Sequence, residues 1–292
     1  MYTQTQSATT SVFASISLTW TDKLRLHQFP ASVTQEIADQ LRASWPPGIK
    51  SEQDLPHGAH EFKFKGTPFG TFGTQEGVGS RRLIRDVLAF LYARGWTLVV
   101  PLSHSQRKGS KDSLVFRQRS IERGPGLEKG EGAAAARVEV LVPPPVEWLV
   151  IAPAAGDKLR VIYDGSLKLS GGSAVAAAAG GKQHDHDELG VLVQSLKQVL
   201  LGMDYFQAGT WSHDSFEFKF KGYPWSALKD EKRVKVERLL LEVLDVLERF
   251  GWRSYATVRH RSDTDDVRKQ DTWFFVRDED WVPESPPIRK SS

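Results

Sequence analysis

The chain contains no cysteine in 292 residues, so disulfides, thiolate zinc sites, iron–sulfur clusters and cysteine nucleophiles are all excluded. No stretch approaches the ~20 apolar residues that a membrane span needs. The opening Met1–Trp20 has neither the basic start nor the long apolar centre of a secretory leader. A one-sided charge is missing as well: 39 basic residues face 36 acidic ones, for a net +3, too slim an excess to name nucleic acid as a partner by itself. Phosphate-cradling loops of P-loop spacing, dinucleotide fingerprints, HExxH helices, hydrolase elbows and kinase signatures are absent. The expectation is a non-enzymatic protein of a reducing compartment, cytoplasmic with the nucleus left open, without cofactor or metal.

What the chain does have is itself, twice. Glu61–Gly66 (EFKFKG) returns letter for letter as Glu217–Gly222, and Glu61–His104 aligns without a gap to Glu217–His260 with 16 of 44 positions identical. Upstream, Asp22–Arg25 (DKLR) returns as Asp157–Arg160, here at an offset of 135 rather than 156. The second copy therefore carries a net insertion of 21 residues, assigned to the Gly/Ala-rich segment 171–187. The expected organisation is a first repeat over 11–118, a Gly/Ala/Pro-rich linker over 119–145 with an apolar patch that docks as an edge strand, a second repeat over 146–281, and a disordered tail over 282–292.

Within the first copy, alternation of apolar and polar residues predicts a hairpin, 12–18 with 23–29. Ser32 and Gln35 then have capping-box spacing, and Val33, Ile37, Leu41 and Trp45 recur at helical intervals up to the Pro46-Pro47-Gly48 stop. The EFKFKG strand follows. A longer helix is predicted by Leu83, Val87, Leu88 and Leu91, repeated as Leu239, Val243, Leu244 and Leu247, and Gly95-Trp96 or Gly251-Trp252 closes it. Two further strands complete each unit, 96–102 with 113–117 and 252–259 with 272–277. The fold class expected is α+β: two tandem ββαβαββ repeats, each a largely antiparallel sheet with two helices on one face, related by a pseudo-two-fold.

Strand alternation puts Phe62 and Phe64 on the core face of EFKFKG and Glu61, Lys63 and Lys65 on the other. With Lys23 and Arg25 these make a basic sheet face, repeated by Lys158, Arg160, Lys219 and Lys221. Such a face would suit phosphates, with Tyr255 to stack a base; the bland reading is a solvated face whose Lys and Glu ladders pair across strands, since Glu61 and Glu217 interrupt each stripe. The glycine-rich 70–79 followed by Ser80 reads as a flexible loop capped by Ser80 rather than an anion cradle. Arg81, Arg82 and Arg85 make the first long helix basic, whereas its counterpart is acidic. His57 with His60, and His184 with His186, read as empty clusters rather than metal sites. His104 and His260 are the histidines shared by both copies, and strand-end hydrogen bonding is their expected role.

With DKLR, EFKFKG-x-P-[FW], the leucine stripe and Gly-Trp laid out, the chain resembles a mostly fungal family of tandem EFK-x-KG-x-PW…GW repeat proteins, to which no activity is attached. The likeness spans most of both copies, with Phe69 standing where the pattern has Trp. The strand–helix–strand–strand half of each copy is also similar to a small module whose duplicated forms bind hydrophobic ligands in a central groove, an analogy of fold alone. The first functional reading is a monomeric binding or scaffold protein with a protein partner. A small apolar ligand held in a groove between the repeats is the second, and nucleic acid on the Lys/Arg strand faces the third.

Overall fold

A computed structural model describes residues 8–70, 74–103, 111–123, 137–163, 184–212, 215–259 and 271–282. The expected tail over 282–292 except Val282, all but four residues of the 171–187 insertion, and His104 and His260 lie outside the described residues. The chain divides into two compact units whose main boundary falls between Pro144 and Pro145.

The first unit runs β1 (Ala8–Thr19), β2 (Lys23–His27), α1 (Ala31–Ser44), β3 (Ile49–Leu55), β4 (Ala59–Phe64), α2 (Thr74–Tyr92), β5 (Trp96–Leu102), β6 (Ser113–Arg123) and β7 (Arg137–Val140). Its sheet has the order β3-β4-β2-β1-β6-β5, and β7 pairs with β6. The second runs β8 (Val146–Ala154), β9 (Lys158–Tyr163), α3 (His184–Gly202), β10 (Phe206–Ser212), β11 (Ser215–Phe220), α4 (Asp230–Arg249), β12 (Arg253–Val258) and β13 (Thr272–Asp278), in the order β10-β11-β9-β8-β13-β12. The neighbouring strands from β3 to β5 along the first sheet, β6 with β7, and β10 to β13 along the second sheet pair antiparallel. The protein is thus α+β, built of two repeats.

The helices cover one face of each sheet because that face is continuously apolar. Leu24, Leu26, Phe62, Phe64, Leu114 and Phe116 are all essentially inaccessible, as are Ile37 and Leu41 of α1 and Leu83, Leu88 and Leu91 of α2. In the second unit Leu149, Ile151, Leu159, Val161, Phe218, Phe220 and Phe275 form one cluster with Leu192, Leu196 and Leu200 of α3 and Leu239, Val243 and Leu247 of α4. Both EFKF phenylalanines of each copy therefore lie in the core. No helix among the described residues is long and apolar enough to cross a membrane.

Several local expectations are corrected. Each unit has a strand that ββαβαββ lacks, because β3 and β10 enter between the first helix and EFKF; the first unit has a seventh in β7, where the linker's apolar patch pairs as an edge strand. The side chains of β3 and β10 alternate no hydrophobic face, five consecutive residues of β3 being exposed, so periodicity gave no sign of them. Pro30, not Ser32, caps α1, and no side chain does the capping; Pro needs no donor at a helix start, and Ser32 falls inside the helix. Gly77, Gly79 and Ser80 lie within α2, so Ser80 is a buried helical residue rather than a cap. Arg81 and Arg85 are buried too: Arg81 donates to the Gly77 carbonyl at 2.8 Å and Arg85 to Asp86 at 2.6 Å. The first long helix is therefore not a solvated basic face. The second copy's first helix starts at His184, inside the expected insertion.

The Gly-Trp corner has a shared construction. Trp252 N–H bonds the Leu247 carbonyl at 3.0 Å and Gly251 N–H that of Glu248 at 2.8 Å, with Gly251 at φ +76°, a helix end of the Schellman type. A Cβ on Gly251 would run into the Trp281 indole, and one on Gly95 would come within 2.8 Å of the Leu141 carbonyl. The segments that follow each sheet are thus laid over the two corners. Gly251→Ala is expected to lower stability by about 2–4 kcal/mol through backbone strain plus the clash. In a Trp281→Ala background only the backbone part, about 1 kcal/mol, should remain; chemical denaturation of the four proteins measures the coupling.

Candidate functional site

The face of the first sheet turned away from α1 and α2 is organised by rows of cross-strand neighbours. One row reads Ser113, Ser17, Arg25, Glu61 and Gln53 across β6, β1, β2, β4 and β3. Glu61 is 2% exposed and takes three donors: Lys23 Nζ at 2.7 Å, Arg25 Nε at 2.6 Å and Gln53 Nε2 at 3.0 Å. Ser17 and Ser113 share a hydrogen bond of 2.9 Å. The second copy repeats the triad, Lys158 at 2.6 Å and Arg160 at 2.7 Å from the two oxygens of Glu217. Burial opposes ionisation of both glutamates, but the hydrogen bonds and charges of the adjacent Lys and Arg overcome it and hold both carboxyls below the ordinary value.

Most of the cations singled out by strand alternation are consequently paired with acidic groups, Lys65 being the exception. Lys63 lies 3.8 Å from Asp22, Lys219 pairs with Asp157, and the more exposed Lys221 reaches Asp204 at 2.5 Å. Lys65 has an exposed side chain while its carbonyl accepts the Trp45 indole N–H at 2.9 Å. Tyr255 meets the Trp148 ring edge-on at 5.0 Å. Where Glu61 stands between Lys23 and Arg25, the stripe is an ion network. His60 bonds Asp54 at 2.7 Å and packs on Phe62; no group of His, Asp and Glu among the described residues is arranged to hold a metal.

Beside the triad, the next row sets Ala59, His27, Ser15 and Val115 in line. His27, Ser15 and Val115 of this row, with Phe13, Gln28 and Leu102, line an open depression of about 430 Å³. His27 titrates below its ordinary value, first because of partial burial and then because of the Arg25 charge, so it is neutral at physiological pH. Phe13 and Leu102 are 50% and 44% exposed on its rim.

The second repeat has diverged at these positions. The offset of 135 converts Phe13, Ser15, Ser17 and His27 into Trp148, Val150, Ala152 and Ile162, all of them buried, and Val150 pairs with Phe274 where Ser15 pairs with Val115. The triad is common to both faces; its surroundings are polar and open in one and apolar and covered in the other. Sequence reasoning passed over Phe13, Ser15, Ser17, His27 and Val115, although the offset that aligned DKLR would have exposed the contrast.

One domain family matches the chain twice, over residues 12–117 and 147–276. The chain belongs to this family and carries its domain in duplicate. Neither a curated protein nor a solved structure matches it.

Glu217→Gln is expected to cost about 3–5 kcal/mol, because Arg160, 6% exposed, would be left buried without its anion. Glu61→Gln should cost less, about 1–2 kcal/mol, since Arg25 is 33% exposed and water can replace part of the pairing. Both carboxyls titrate lower folded than unfolded, so their stabilisation is complete above the unfolded value of about 4.5 and is lost as pH falls through the folded one. Urea unfolding between about pH 3 and pH 7 should therefore show an acid-side slope that shrinks in each Gln variant.

Proposed function

We propose that the protein is a non-catalytic, cytoplasmic binding protein whose open first-repeat face receives a protein partner. The observation that carries this reading is the divergence of the two sheet faces around a common triad. Duplication started both faces alike; one now holds Val150, Ala152, Ile162 and Phe274 out of water, and the other keeps Ser15, Ser17, His27 and Val115 within reach of it. A surface with hydroxyls, a neutral imidazole and half-exposed Phe13 and Leu102 has the mixed polar and aromatic character of a recognition patch. The charged groups nearby hold one another, which favours recognition over proton transfer. We further infer that the duplicated domain is that of the tandem EFK-x-KG-x-PW…GW proteins, since the matched segments include those motifs in both copies.

The experiment is quantitative capture from the protein's own cells with wild type, a Ser15→Lys/Val115→Lys variant of the open face, and a Leu241→Lys control on the exposed side of α4. A partner retained by wild type and control but lost by the face variant is the expected result; equal capture by all three removes the reading. The engaged cations give a second expectation, that neither single-stranded nor duplex DNA binds saturably in fluorescence anisotropy at about 0.15 M salt. Binding that strengthened steeply as salt was lowered would restore the nucleic-acid alternative.

A further inference from the structure

The two repeats end their sheets on corresponding edge strands, β3 and β10, each the terminal strand of its sheet among the described residues. Both pair antiparallel with an EFKF strand, and both carry a register irregularity after their first residue. Both show the same exposure pattern, five exposed residues between two half-buried ones. Their sequences differ in one consistent respect. β3 reads Ile-Lys-Ser-Glu-Gln-Asp-Leu and β10 reads Phe-Gln-Ala-Gly-Thr-Trp-Ser, so Lys50, Glu52 and Asp54 are answered by Gln207, Gly209 and Trp211.

Charges on an edge strand keep its free N–H and C=O groups from pairing with another strand, because pairing would strip water from those charges. β3 has this protection and β10 has lost all of it. We propose that β10 is a self-association edge, at which a second copy of this chain adds its own β10 antiparallel to form a continuous sheet.

The regular part of β10 is self-complementary in a way that β3 is not. A two-fold centred on Thr210 sets Thr210 against Thr210, Gly209 against the second copy's Trp211, and Ala208 against Ser212. The Thr pair matches a β-branched side chain with itself, and none of the paired positions sets a charge against a charge. The equivalent two-fold on β3, centred on Gln53, would set Glu52 against Asp54 twice, four carboxylates in two facing pairs. The absence of charge also selects the occupant, since a strand with no ionic signature prefers a neutral partner such as itself. A contact of one short strand lies below the roughly 1,200 Å² of a standard interface, so the dimer is weak and transient.

The absence of native cysteine makes the test direct. Thr210→Cys and Gln53→Cys, each an exposed residue of its edge, place the sole thiol on β10 or β3. Copper-catalysed oxidation should cross-link the Thr210→Cys protein at least tenfold faster than the Gln53→Cys protein, at concentrations where circular dichroism shows both folded. Sedimentation of the wild type from about 10 µM to about 500 µM should show a rising average mass, as expected for a small interface. Thr210→Lys, which restores an edge charge, should abolish the rise. Equal cross-linking of the two variants, or a constant monomeric mass, overturns the proposal.

Discussion

A glutamate buried in a β-sheet between a lysine and an arginine is the constraint on which the rest of each repeat depends. Phe62 and Phe64 can face the helices only if the intervening Glu61 faces the other way, and a carboxylate that is 2% exposed cannot stay ionised without partners. Lys23 and Arg25 are those partners, and their own alternation fixes Leu24 and Leu26 on the helix side. A slip of one residue between β2 and β4 would turn one strand over relative to the other, setting either the cations of β2 on the face of the phenylalanines or Glu61 on the face of the leucines. The ion triad and the hydrophobic core therefore specify the same register from opposite faces of one sheet, and the second copy keeps both.

With the triad held constant, duplication left three places free to diverge. The sheet face around the triad became apolar and buried in the second repeat while staying polar in the first. The long helix became buried nearly all round in the first, taking in Ser80, Arg81 and Arg85, while its counterpart keeps Val234, Leu241 and Leu244 exposed. The edge strand kept its charges in the first repeat and lost them in the second. The polar, open face falls on the first repeat and the uncharged edge on the second, so the two halves differ in the surface each presents.

How much of this was legible depended on whether a residue's environment is written in a local pattern. The EFKF phenylalanines, the leucine stripes and the Gly-Trp corners all follow from alternation, helical spacing or a positive φ, and they lie in the structure where those rules put them, except Leu244, which the helical spacing placed in the stripe and which is 42% exposed at its edge. The edge strands did not, because an exposed edge has no hydrophobic period to read; nor did the start of α1, where Pro30 serves in place of the Ser32 box. The candidate site was half legible. Its charged members were found from strand alternation, but Ser15, Ser17 and His27 are ordinary strand residues whose meaning comes only from the row they share with Val115 and Ser113, some 90 positions away.

The sequence by itself determined that this chain is two copies of one α+β unit, which residues form most of their cores, and that it has no cysteine chemistry. Those properties rest on periodicity and composition, which are local. Only the tertiary structure decided that Glu61 and Glu217 tie the neighbouring cations of the stripe into ion networks, and that one repeat's outer face is open while the other's is covered. The physical reason is that the charge state and exposure of a side chain are set by cross-strand neighbours. Sheet register, not sequence distance, brings Glu61 to Arg25 and Ser15 to His27.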